Sequence, residues 1–173
     1  MSQTSYSLYI PAVSYPGQMA DDCQVKDVLS GMAYLAPIIY GVLCVTDEAN
    51  TMGFDQLAAR VPSAAADITV VGAQLGVSLA QQAIPQNPAV AVPSYRQYDA
   101  VSCLRMGRVW VNAETAMADG LNPYIRYGAG GSGYNGSFAG AAGANLVQMA
   151  AQMAVVRGTT SGAGYAVIEL NIA

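Results

Sequence analysis

The 173-residue chain has no histidine, a single lysine (Lys26), a single tryptophan (Trp110), three cysteines and only 18 charged residues. Without histidine there is no Ser-His-Asp or Cys-His relay, no imidazole base and no histidine-bound metal. Cys23, Cys44 and Cys103 are odd in number, far apart and without a C-x-x-C pair. That speaks against a disulfide scaffold or a structural zinc and suits synthesis in a reducing cytoplasm. Lys26 and the six arginines are scattered along a chain of net charge −4, so no basic patch for nucleic acid is read. The N-terminus has no basic n-region, and no secretory signal is read there.

Charge is scarce at 10% of residues, against about 25% in an ordinary soluble domain. A charge-poor chain that stays in solution is expected to hide surface in an assembly, because interface cores are depleted in charge. Residues 28–46 are uncharged and long enough to raise the question of a membrane span. Gly31, Pro37 and Gly41 interrupt them, and Asp47 and Glu48 come next, so two short buried strands are the better reading.

What is present favours strands. Val and Ile number 18 and 8 against 11 Leu, and there are 11 Tyr. The expected fold is all-β: an antiparallel sandwich, jelly roll or barrel-like domain over 18–173, preceded by an extended arm over 1–17. The arm carries no charged side chain, holds Tyr6, Tyr9 and Tyr15, and is biased towards extended geometry before Pro11 and Pro16. Asp21 to Leu29 reads as a short helical turn, Pro37 to Val45 as a strand and Gln56 to Arg60 as a short helical piece. The Ser-Ala-Ala-Ala-Asp stretch at 63–67 reads as spacer, Ile68 to Leu79 as strand with Gly72 and Gly76 at bulges or turns, and 83–94 as a loop.

Val101 to Val111 reads as one long strand with a bulge at Gly107, and Asp119-Gly120 as a turn before a Tyr124–Tyr127 strand. Another strand is expected around Phe138. Residues 142–156 fit either a helix or a hairpin partner of the last strand. That last strand has the cleanest pattern: Ala166, Ile168, Leu170 and Ile172 share one face, Tyr165, Glu169 and Asn171 the other.

Gly128 to Gly133 formally matches G-x-G-x-x-G, but no helix pattern comes after it and no acidic residue occurs between Asp119 and Glu169, so a flexible hairpin loop is favoured. The adjacent pairs Asp21/Asp22 and Asp47/Glu48 point to opposite faces of an extended chain and read as solvated loop charges. No calcium-loop spacing occurs. Cys103 reads as a small core residue, since nothing local would lower its pKa. No catalytic, metal or cofactor residue is assigned. Trp110 reads first as a core anchor and alternatively, with Arg108 on the face opposite Val109 and Val111, as part of a subunit contact. Tyr6, Tyr9, Tyr15, Arg108 and Trp110 are the candidate interface residues.

Tyr15-Pro16-Gly17 with Met19-Ala20-Asp21, Ile39-Tyr40-Gly41-Val42 and Gly107-Arg108-Val109-Trp110-Val111 occur in an order that continues through Asp119-Gly-Leu-Asn-Pro-Tyr124 and Gly133…Gly136-Ser-Phe138. It closes with Gly164-Tyr-Ala-Val-Ile-Glu-Leu-Asn171. Together, over about residues 15–172, these motifs resemble the structural cement, or capsid decoration, proteins of tailed bacteriophages. The chain departs from that pattern in a longer arm and in the loop at 81–98. The resemblance implies a β-rich virion protein, made in the host cytoplasm, on the outer surface of an icosahedral head at seams between major capsid subunits. It implies no catalytic residues, and as partners the major capsid protein and the chain itself, a dimer being favoured over a trimer. No nucleic acid, membrane or cofactor is expected. The alternatives are another phage structural module (tail, fibre or coat component) and a small β-barrel ligand binder or carboxylate-dependent hydrolase.

Overall fold

A computed structural model describes residues 16–20, 27–34, 36–47, 57–70, 72–80, 92–129 and 133–172. Tyr6, Tyr9, Tyr15, Asp21, Asp22, Cys23, Glu48 and most of the 81–98 loop lie outside the described residues. The described chain is almost entirely strand: β1 (Asp27–Ala33), β2 (Ile38–Ile39), β3 (Leu43–Thr46), β4 (Ala58–Arg60), β5 (Gln74–Ser78) and β6 (Ser94–Tyr95) precede the 14-residue β7 (Ala100–Ala113). Then come β8 (Tyr124–Arg126), β9 (Phe138–Ala139), β10 (Leu146–Gln148), β11 (Ala154–Val156) and β12 (Gly164–Asn171). The one helix among the described residues is the single turn α1 (Ala66–Thr69).

Five strands close on themselves in the order β1-β4-β3-β5-β7, because β7 pairs with both β5 and β1. All these joints are antiparallel except β1–β4. Closure removes the free edges that a five-stranded sheet would otherwise expose. The interior is filled by small and medium side chains, among them Ala33, Cys44, Ala59, Leu75, Val101 and Cys103. The β2–β6 ribbon adds Ile38 and Tyr95 to this core, and Tyr95 meets Tyr40 edge-on with ring centroids 5.0 Å apart. Cys103 is fully buried as expected, and contact with Cys44 together with burial raises its thiol pKa.

A second core lies outside the barrel. Leu43, Val77 and Leu104 face it from β3, β5 and β7, and Val109, Val111, Ile168 and Phe138 complete it from the strands beyond. It forms because β7 outruns the barrel. β1 covers Ala100 to Met106 of β7, and β12 takes over from Met106 to Ala113. β11 then pairs with β12, so residues 154–156 take the hairpin alternative, and β10 likewise is strand.

Several local expectations fail: the single strand read over Pro37 to Val45 is two, β2 and β3, and the strand read from Ile68 begins only at Gln74, Ile68 lying in α1. The helical piece ending at Arg60 is strand β4, since Ala58 and Ala59 are buried and β4 pairs with β1 on one side and β3 on the other. Alanine's helix preference, under about 1 kcal/mol per residue, is overridden by that pairing. The helix instead falls on the supposed spacer, where Asp67 accepts the N–H groups of Ser63 and Ala64 and fixes the turn. Asp27 to Leu29, the described end of the expected N-terminal helical turn, is β1. The long uncharged stretch holds three strands, β1, β2 and β3, rather than two, and no helix among the described residues is long and apolar enough to cross a membrane.

Candidate interaction surface

Period-two alternation sorts the far half of β7 into two faces. Val109, Val111 and Ala113 enter the second core, while Arg108, Trp110 and Asn112 stay partly exposed on the opposite face. The register of β12 sets Glu169 opposite Arg108, Val167 opposite Trp110 and Tyr165 opposite Asn112. Arg108 and Trp110 are therefore brought together, as their spacing on one strand implied. Trp110 is not the core anchor that a lone tryptophan suggests: it is half-buried and belongs to neither core. Its position two residues from Arg108 and one from Val109 leaves the ring only the outer face.

The face grades from charged to aromatic. At one end Arg108 Nε and Arg157 Nε donate to the same Glu169 Oε2 at 3.0 and 2.8 Å. Those hydrogen bonds, Arg157's first, hold the Glu169 carboxyl below its usual range. Trp110 and Val167 form the middle. At the other end the surface dips into a cavity of about 320 Å³ lined by Pro16, Ile39, Tyr40, Pro93, Tyr134 and Tyr165, beside Asn112. None of the lining side chains is charged.

The edge of β7 opposite β12 is occupied by the root of the arm. Gly17 N–H donates to the Trp110 carbonyl at 2.7 Å, Trp110 N–H to Gln18 O at 2.8 Å, and Ala20 N–H to Arg108 O at 3.1 Å. Met19 thereby pairs with Val109 as a one-bridge extra strand. Glycine is required here. Gly17 has φ +81°, and a Cβ on it would lie 2.6 Å from Ala80 N. Gly41, at φ +73°, faces Pro16, whose Cβ would be 2.5 Å from a Cβ on Gly41. These close approaches give the motifs Tyr15-Pro16-Gly17 and Ile39-Tyr40-Gly41-Val42 a joint physical meaning.

Beyond β7, a buried ion pair anchors the glycine-rich loop. Arg126 Nη2 and Nε donate to Glu114 at 2.5 and 2.6 Å, both side chains being under a tenth exposed. Ser137 Oγ also donates to Glu114, and Gly133 lies so close that any Cβ would collide with that carboxylate. Glu114 raises the Arg126 pKa. Sequence reading missed this pair, and no local spacing announces it.

The described carboxylates are engaged in binding the chain itself. Asp67 is held well below the usual range, first by its hydrogen bonds from Arg60 at 2.8 and 3.0 Å. Asp47 and Asp27 face Arg60 and Arg105 at 3.9 and 3.4 Å, and Asp99 and Asp119 accept backbone N–H groups. No carboxylate lines the cavity, and no cluster of three metal-ligating side chains occurs among the described residues. Gly128 leads to β9 rather than to a helix. What the surface offers is shape, aromatic area and a terminal charge cluster.

The sequence matches the family of structural cement proteins (E217 gp24/Pam3 gp6) over residues 2–171, nearly the whole chain. The chain belongs to that family of phage structural proteins. It is a β-barrel capsid component of a bacteriophage virion rather than a member of an enzyme family. No curated protein sequence matches it.

Proposed function

We propose that this protein binds the outer surface of a phage head and fastens neighbouring major capsid subunits to one another, using the Arg108–Trp110 face of β7 and β12 together with Tyr6, Tyr9 and Tyr15 of the arm. The observation that carries this reading is Trp110, which stays partly exposed on the outer face. The chain's only tryptophan is left on a solvent-facing strip while two separate cores are completed without it. Tryptophan and arginine are among the residues most enriched at binding hot spots, and here they stand two positions apart on one rigid strand.

Electrostatics supports the outer surface. A net charge of −4 is unfavourable next to packaged DNA and harmless outside the shell. Each contact need be only modest: once one copy of an oligomer is seated, its neighbour binds at high effective concentration, and avidity closes the seam. Releasing a capsomer then requires breaking cement contacts as well as shell contacts.

The experiment is to add the protein to undecorated heads and measure occupancy. Trp110→Ala is expected to raise the concentration for half-occupancy at least tenfold, equivalent to about 1.4 kcal/mol. Unchanged occupancy would move the contact elsewhere on the domain. Binding to empty tails or fibres in place of heads would favour another structural role.

A further inference from the structure

The turn that leads into β7 breaks a local rule at an exposed residue. Gln97 and Tyr98 are the central pair of a turn closed by Asp99 N–H, which donates to the Arg96 carbonyl at 3.1 Å. Tyr98 has φ +71°, the left-handed conformation of the third position in a type II turn, where glycine or asparagine is the usual residue. Among the described residues only Asn145 shares that conformation without being glycine. Asparagine enters it with a short polar side chain, whereas tyrosine crowds its own backbone there.

Folding gains little in return. The Tyr98 side chain is 58% exposed, the highest value among the described large hydrophobic residues, and belongs to neither core. Its backbone is held in place by the surroundings. Tyr98 N–H donates to Ala33 O at 2.8 Å, Ala33 N–H to Asp99 O at 2.9 Å, and Asp99 Oδ2 accepts the Arg96 N–H at 2.7 Å. Tyr95 before the turn and Val101 after it are both sealed in the barrel core. A bulky ring kept in an unfavourable conformation by a packed frame, with no core to fill, is the pattern of a recognition site.

We propose that Tyr98, with the exposed Arg96 beside it, is a second capsid contact, and that it takes a different major capsid subunit from the one held by the Arg108–Trp110 face. This rests on the head-binding reading given above. Tyr98 stands at the rim where β7 begins and β1 ends, and Trp110 lies beyond the other rim. From Ala100 to Trp110 the strand covers about 30 Å, comparable to the full width of a standard interface patch, so the two ends are centres of separate contacts. Tyrosine and arginine are, like tryptophan, residue types enriched at binding hot spots. Fastening one subunit to the next needs two grips on the shell. A chain with one at each end of the same strand supplies both, and the second forms at high effective concentration once the first is made.

The test uses the full-length chain and undecorated heads. Tyr98→Asn removes the ring but keeps a residue at home in the left-handed turn position. It should need at least about tenfold more protein for half-occupancy, with a thermal midpoint unchanged or raised. Unchanged occupancy would overturn the proposal, as would a lowered midpoint, which would make the ring a folding residue. Trp110→Ala in the same assay separates the two readings: if it weakens binding and Tyr98→Asn does not, head binding stands and the second contact falls. The bridge is read by placing a photocrosslinking phenylalanine analogue at Tyr98, at Val167, which pairs with Trp110, and at both together. Each single substitution should join one chain to one capsid subunit, and the double substitution should join one chain to two. A double substitution that never captures two subunits, or crosslinks from position 98 only to another copy of this chain, would overturn the proposal.

Discussion

The two halves of β7 are one continuous strand in two different environments. From Ala100 to Met106 it is held between β1 and β5 in a closed barrel, where Val101 and Cys103 fill one core and Leu104 another, so both faces are covered. From Met106 to Ala113 it lies between β12 and the arm root, with Val109 and Val111 buried and Arg108, Trp110 and Asn112 open. A strand buried on both faces contributes to stability, while a strand buried on one face leaves the other available for binding. The barrel thus anchors a surface built just beyond its rim, because the strand that carries the surface is paired on both edges inside the barrel.

Substitutions should separate the halves. The largest loss of stability is expected at the buried ion pair just past the strand's end. Glu114→Ala leaves the Arg126 guanidinium buried without its partner and should cost about 3–5 kcal/mol in chemical denaturation. Leu104→Ala, in the barrel half, should cost about 2–5 kcal/mol through lost burial and the cavity left behind. Trp110→Ala, in the open half, should cost less, about 1–3 kcal/mol of folding, because the ring is partly exposed and lies outside both cores. A folding loss from Trp110→Ala as large as that from Leu104→Ala would erase the distinction between the halves.

Acid acts on the periphery of both. The Asp67 and Glu169 carboxyls titrate lower in the folded chain than in the unfolded one, where they take the ordinary values near 4. Folding stability from these groups is therefore fully present above about pH 5 and is lost as pH falls through 4 and below. Denaturation midpoints at pH 6 and pH 3 should differ, and Asp67→Asn should narrow the difference. The smallest effect is expected at Arg157→Ala, whose side chain is 44% exposed and whose partner Glu169 retains Arg108. A thermal-melt change corresponding to about 0.2–1 kcal/mol is expected.

Strand β12 and the reach of β7 were legible because their evidence is local. Ala166, Ile168, Leu170 and Ile172 alternate with neighbours that are polar except for Val167, and that pattern requires only that one side of a sheet be buried. Arg108 and Trp110 could be placed on a common face for the same reason. Their partners could not, because Glu169 and Val167 stand 61 and 57 positions away and no side-chain pattern in either strand announces the register. Residues 58–60 and 66–69 show the limit from the other side: the alanines there carry equal helix preference, and pairing with β1 and β3 made one a strand while Asp67 made the other a helical turn.

By itself the sequence determined the β class, the inward and outward sides of β7 and β12, and the scarcity of charge. Those features arise from side-chain chemistry at spacings of one and two residues, which any extended backbone reads out the same way. Tertiary structure alone decided that β1 closes onto β7, that Glu114 meets Arg126, and that Pro16, Tyr40, Pro93, Tyr134 and Tyr165 converge on one cavity. Each of these joins segments separated by at least a dozen residues, and their meeting is set by sheet closure and close packing of the whole chain, which no local stretch encodes.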